Sequence, residues 1–155
     1  MSKRHAFHPQ EAATRVGTSY PKPFDAVAPT RVKHTLGDHV GLDQYGVNLT
    51  ILPPGEASAL RHWHRNEDEF VYLLSGEVVL VTDDGEEVMT AGMCAGCKAG
   101  VENGHHLVNR SNGDATYLEI GSRMADEEAF YPDDDLHVVV RSGASQFTNK
   151  KGEPQ

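Results

Sequence analysis

From Arg31 to Ile120 the chain is cut into short alternating apolar stretches by turn residues, and this spacing constrains the fold more than any other feature. Strands are predicted over 32–36, 45–52, 59–64, 69–74, 77–82, 86–90, 105–109 and 115–120. Pro53-Pro54-Gly55 stops one strand, Asp83-Asp84-Gly85 suits a tight hairpin, and Ser111-Asn112-Gly113-Asp114 forms a further turn. Strands this short and regular build a sandwich or barrel, not βαβ units. Residues 124–130 alone suggest a short helix. Residues 1–30, with Pro9 and Pro21-Lys22-Pro23, read as an extended arm with a helical turn near Glu11 to Arg15, and His5 and His8 as solvated. The barrel is expected over 31–141 and a polar surface tail over 142–155. With 155 residues, one domain is expected.

The net charge is −9, and Lys and Arg are scattered, singly apart from Lys3-Arg4 and Lys150-Lys151, so nucleic acid and anionic membranes are not expected as partners. No apolar run approaches the ~18 residues of a membrane span, and the basic start lacks the apolar segment of a secretory signal. A cytoplasmic location is expected. Cys94 and Cys97 form a lone Cys-x-x-Cys without a second zinc pair, which reads as two small buried thiols. Tyr131-Pro132-Asp133-Asp134-Asp135-Leu136 lacks the glycine and final glutamate of a calcium loop and reads as a solvated turn anchored by Tyr131. Glu67 and Asp68 read as exposed loop charges.

Chemistry concentrates in residues 55–76. His62 and His64 are two apart, so an extended chain sends both imidazoles to one face, while Trp63 turns away into sheet packing. Glu69 opens the next apolar run. Two imidazoles and a carboxylate on neighbouring strands form a ligand set that zinc, iron, nickel and manganese accept. In a second block His105, Leu107 and Asn109 share a face, and His106 takes the other.

The spacing Gly55-x6-His62-x-His64-x4-Glu69-x6-Gly76 resembles the first motif of the cupin superfamily, with one extra residue after Gly55. The block from Gly92 through Lys98-Ala99-Gly100 to His105 and Asn109 resembles the second motif. It departs by Lys98 in place of proline and by two extra residues before the histidine. The stretch from Arg15 through Leu136 is similar to a group of small bacterial single-domain cupins, some labelled sugar-phosphate isomerase or regulator. The resemblance implies an all-β, cupin-type double-stranded β-helix (jelly-roll) barrel with an extended N-terminal arm. It implies a divalent transition metal (Zn, Fe, Mn or Ni) held by His62, His64, Glu69 and a fourth ligand. Its pattern, four residues before the asparagine, selects His105 and leaves His106 at the cavity rim.

Catalytic candidates beside the ligands are Glu119, Tyr117 and Lys98. Arg61 and Arg65 are expected at the rim, and Tyr72 at an oligomer contact. The expected function is metal-dependent isomerase or epimerase chemistry on a sugar or sugar phosphate. Dioxygenase or lyase chemistry, a metabolite-binding sensor, and a barrel that metal merely stiffens are the alternatives. The ligand is a small molecule, and the family analogy suggests a homodimer, possibly with the arm exchanged.

Overall fold

The structure is a computed structural model and describes residues 5–155. Thirteen strands are described: β1 (Thr14–Val16), β2 (Val32–Thr35), β3 (Tyr45–Leu52), β4 (Trp63–His64), β5 (Glu69–Ser75), β6 (Glu77–Thr82), β7 (Gly85–Thr90), β8 (Cys94–Cys97), β9 (His106–Val108), β10 (Ala115–Ser122), β11 (Asp126–Phe130), β12 (His137–Arg141) and β13 (Ala144–Thr148). One four-residue α-helix, Leu36–His39, fills the expected turn near Gly37.

All pairing is antiparallel. One sheet runs β1-β2-β3-β10-β5-β8, and β3 and β10 pair along their full length from Leu52↔Ala115 to Tyr45↔Ser122. Facing it are β13-β12-β11-β4 and β7-β6-β9. A bridge between His62 and His105 joins those two sheets, so they act as one wall. This is the jelly-roll barrel expected, with two sheets burying their inner faces against each other. Gly76 makes the reversal between β5 and β6 possible. Its φ is +82°, and a Cβ there would lie 2.6 Å from the Asp114 carbonyl oxygen.

The interior holds two apolar clusters. Leu52, Leu73, Val78, Met89, Leu107 and Tyr117 fill one end, and Ala129, Tyr131, Leu136 and Val138 fill the other. The polar cavity described below is walled by residues that pack against both.

Several expectations need correction. Residues 124–130 do not form a helix: Asp126–Phe130 is strand, with Glu127 and Ala129 buried at period two and β4 and β12 on either side. Tertiary pairing overrides the helix preference of its Glu and Ala residues. The stretch 142–155 is not a loose tail, because β13 pairs with β12 and Phe147 packs into the second cluster. Residues 59–64 contribute only the two-residue β4.

The arm is also folded onto its own barrel. Its turn is a 3-10 segment at Pro9–Glu11, β1 pairs with β2, and Arg31 donates to the Gly17 carbonyl at 2.7 Å. His5 and His8 are exposed, and residues 1–4 of the expected arm lie outside the described residues. Cys94 is exposed and Cys97 half-buried, so the pair is not two buried thiols. They sit at opposite ends of β8 and do not bond to each other.

Candidate metal centre

Four side chains converge where the two walls of the barrel meet. His62 and His64 come from the segment entering β4, His105 from the residue before β9, and Glu69 from the start of β5 on the opposite sheet. Antiparallel exchange fixes the first pair: His62 N–H donates to the His105 carbonyl at 3.2 Å, and His105 N–H returns to His62 at 2.9 Å. Alternation brings His64 to the same side as His62. Trp63 points away and stacks on Phe130 with ring centroids 4.3 Å apart.

The ring nitrogens are oriented from behind. His62 Nδ1 donates to the Leu60 carbonyl at 2.6 Å and His105 Nδ1 to the Asn103 carbonyl at 3.1 Å, turning both Nε2 atoms inward. His62 Nε2 lies 3.1 Å from His64 Nε2, His64 Nε2 lies 3.5 Å from Glu69 Oε1, and His105 Nε2 lies 2.6 Å from Glu69 Oε2. Donor atoms about 2.0–2.2 Å from one ion lie roughly 3 Å from one another; here the atoms of His62, Glu69 and His105 all lie within 4.8 Å of one another, while His64, close to His62 and Glu69, also groups with Glu67 and Glu127.

The protonation logic also favours a cation. With its Nδ1 proton on Leu60, His62 presents a lone pair at Nε2. His64 Nδ1 is buried with no hydrogen-bond partner and lies 3.9 Å from Glu127 Oε1. A neutral His64 carrying its proton on Nδ1 leaves a second lone pair at Nε2, 3.1 Å from that of His62. An ion between the rings would resolve the opposition. The residues present therefore fit a divalent metal.

Burial lowers His62 to about 4. Burial also opposes charge on His64 and His105, but Glu69 beside His64, and Cys97 with Glu69 beside His105, raise both. Burial works to raise Glu69, yet the His105 and His64 contacts hold it well below the usual carboxylate range.

The centre opens into a cavity of about 360 Å³. Its polar lining includes Tyr20, Arg31, Lys33, Glu67, Glu119 and Glu127, and its apolar lining includes Val71, Leu80, Val140 and Phe147. Of the catalytic candidates, Glu119 lines this cavity. Glu119 Oε1 accepts from Asn48 Nδ2 at 2.9 Å and is ion-paired with Lys33 Nζ. Tyr117 is 1 % exposed within the first apolar cluster, where burial pushes its phenol up. Lys98 is exposed after β8 and borders a separate shallow groove with Asp68 and Phe70.

Among the histidines, His105 joins the group, while His106 lines the cavity with Nδ1 on the Ala59 carbonyl at 2.9 Å. Arg61 is taken by Asp133 and Asp83, and Arg65 by Glu128, so neither reaches a ligand. Glu67 is not a free loop charge: it lines the cavity, and Oε1 accepts Met124 N–H at 2.8 Å. Tyr131 does anchor its turn, lying 5 % exposed with its ring stacked on His62 at 5.5 Å.

Reading the sequence missed Arg31, Lys33, Tyr20, Cys97 and Glu127. Period-two alternation along β2 and β8 could have placed Lys33 and Cys97 on the inner face. No local signal marks Glu127, whose carboxylate collects the backbone N–H groups of Arg65, Asn66 and Glu128.

A jelly-roll barrel with three imidazoles and a carboxylate at the mouth of its cavity defines a class of small metal-binding β-barrels. The Cupin domain family profile matches residues 48–121. A crystal structure described as a sugar phosphate isomerase from a cupin superfamily, from Silicibacter pomeroyi, is 42% identical, covers 97% of this chain and 96% of its own, and superposes with a TM-score of 0.92. A putative sugar phosphate isomerase from Acidithiobacillus ferrooxidans is 27% identical over 81% of each chain with a TM-score of 0.75. A predicted oxalate decarboxylase from Thermotoga maritima, 19% identical over 77% of this chain and 99% of its own with a TM-score of 0.62, shares the fold. No curated protein matches. The chain belongs to the cupin superfamily. No helix among the described residues is long and apolar enough to cross a membrane.

Proposed function

We propose that the protein is a metal-dependent isomerase or epimerase acting on a small sugar or sugar phosphate. The observation that carries this reading is Glu119 in the same cavity as the four candidate ligands, supported by the descriptions of the two similar structures. The ion, proposed as Zn, Fe, Mn or Ni, would be held by His62, His64, Glu69 and His105. When bound it supplies a Lewis acid that acidifies the C–H bond next to a carbonyl.

The chain's own part is the proton. Glu119 Oε1 is held by Lys33 and Asn48, and Oε2 takes no hydrogen bond among the described residues. Oε2 removes the proton from the hydroxyl-bearing carbon beside the carbonyl and returns it to the former carbonyl carbon, while the hydroxyl proton passes from one enediol oxygen to the other; epimerisation would take its returning proton from a second group on the opposite face. Lys33 Nζ, ion-paired with Oε1, holds the carboxylate in place. Apolar Val71, Leu80 and Phe147 limit water near the reacting carbons. The test is turnover on a panel of aldose and ketose phosphates by metal-loaded protein. Expected are metal-dependent interconversion and a loss of about 10²–10⁴-fold in Glu119→Gln with metal content unchanged. A panel without turnover under any of the four metals would overturn the reading.

The partner proposed for the outer face of the six-stranded sheet is a second copy of this chain. Val16, Tyr45, Phe70 and Tyr72 are 65%, 44%, 42% and 38% exposed there, with Leu118 and Ile120 between them in register. None of these positions is charged, although the chain carries −9. The strands run from three to eight residues, and at about 3.4 Å per residue and 4.8 Å between strands they present roughly 550 Å², about two thirds of the ~800 Å² per partner of a stable interface.

A further inference from the structure

Two basic side chains other than histidine line the cavity, and they differ in one respect. Lys33 is paired with Glu119, whereas Arg31 has no carboxylate within 4.0 Å among the described residues. Arg31 is 7 % exposed. Nη2 donates to the Gly17 carbonyl at 2.7 Å, Nη1 donates to the Ser58 carbonyl, and Nε is buried without a partner. Glu56, in the loop leading to Ser58, directs Oε1 to Thr30 instead. Three of the five N–H groups of a permanent cation thus have no protein partner, and one of them, on Nε, is fully buried. That is a costly arrangement unless an anion completes it.

The surroundings are rich in donors. Thr18, Ser19 and Tyr20, from the folded-back arm, line the cavity beside Arg31, and Ser58 joins them. Tyr20 stands between this corner and the metal centre. Its ring lies 5.7 Å from that of Tyr131, which in turn stacks on His62. An extended molecule can therefore place one end near the four ligands and the other against Arg31.

We infer that Arg31, with the hydroxyl-bearing arm segment Thr18–Tyr20, forms a subsite for the phosphoryl group of the substrate. The inference deepens the sugar-phosphate reading and rests on it for the identity of the whole molecule, though the subsite itself is defined by Arg31. The guanidinium fork suits a phosphate dianion. The arm acts as one wall of the binding site, because Arg31 holds it through Gly17 while offering its unpaired Nη N–H groups to the ligand.

The probe is inorganic phosphate, titrated calorimetrically into metal-loaded full-length protein, with acetate in parallel. Wild type is expected to bind phosphate and to prefer it over acetate. Arg31→Gln is expected to weaken phosphate binding about 10- to 100-fold, the loss of one or two charge-assisted hydrogen bonds, with metal content unchanged. If Arg31→Gln does not fold, Arg31→Lys, which keeps the charge and loses the fork, is expected to retain weakened binding. Failure of wild type to bind phosphate, equal binding by wild type and the Arg31 variant, or equal affinity for acetate would overturn the subsite. So would phosphate binding lost in His64→Ala but retained in Arg31→Gln, since the anion would then sit on the metal. Arg31-dependent phosphate binding without turnover of any sugar phosphate would overturn the isomerase reading and leave the subsite standing.

Discussion

The difference in stability between metal-loaded and metal-free protein should report directly on His64. The ring is one of the four proposed donors, its Nε2 is 3.1 Å from His62 Nε2, and its Nδ1 is buried without a hydrogen bond. At free metal a thousandfold above the dissociation constant, binding to the native state alone adds about 4 kcal/mol. For a chain of 155 residues each kcal/mol moves the melting temperature by roughly 2–4 °C, so loading should raise it by about 8–16 °C. Loss of a residue that merely orients a ligand lowers affinity 10- to 100-fold, and loss of a donor reaches at least the upper end. In His64→Ala the same free metal would then stand only about tenfold above the dissociation constant. The gain shrinks to about 1.4 kcal/mol, or roughly 3–6 °C. The assay is calorimetric melting in a metal buffer, read as loaded minus metal-free for each variant, so that any direct effect of the substitution on the fold cancels. A wild type that melts at the same temperature with and without metal, or a His64→Ala gain equal to wild type, would refute the reasoning.

Other outcomes follow from the same geometry. Asn109 is fully buried and its side chain makes four hydrogen bonds, to Leu52, Gly113 and Ser111, so Asn109→Ala should cost about 2–4 kcal/mol in urea unfolding; a cost below 1 kcal/mol would contradict this. In metal-free protein Glu69 is lowered from 4.5 and His105 raised from 6.5. The carboxylate's contribution is lost as pH falls below about 4.5, and the imidazole's is lost as pH rises above about 6.5, so metal-free stability should peak between them. Metal-loaded protein should hold its melting temperature through pH 7–9, and a metal-free protein that does the same would contradict the pairing. Leu118→Lys should convert a dimer into a monomer in sedimentation without lowering metal content, and an unchanged sedimentation coefficient would place the contact elsewhere.

How much of this was legible follows from sequence distance. His62, His64 and Glu69 lie within one short block, and strand alternation alone brings the two imidazoles together. The fold was legible because turn residues punctuate nearly every strand. What escaped depends on pairings made across the chain. Lys33 meets Glu119 across 86 residues, and Glu127 reaches the backbone behind His64 across 61 and 62. Asp126–Phe130 reads as helix because its residues favour helix locally, and it becomes strand only when β4 and β12 flank it. Arg31 stands just before the strand predicted over 32–36, and its significance lies in the carbonyls it finds at Gly17 and Ser58.

The central claim is that one ion is held by these four side chains. Anomalous diffraction from crystals grown with Mn or Zn tests it most directly. The account predicts a single strong peak bonded to Nε2 of His62, His64 and His105 and to the Glu69 carboxylate, at about 2.0–2.2 Å. A peak seated instead between His64, Glu67 and Glu127, or four candidate ligands with no peak among them, would contradict it.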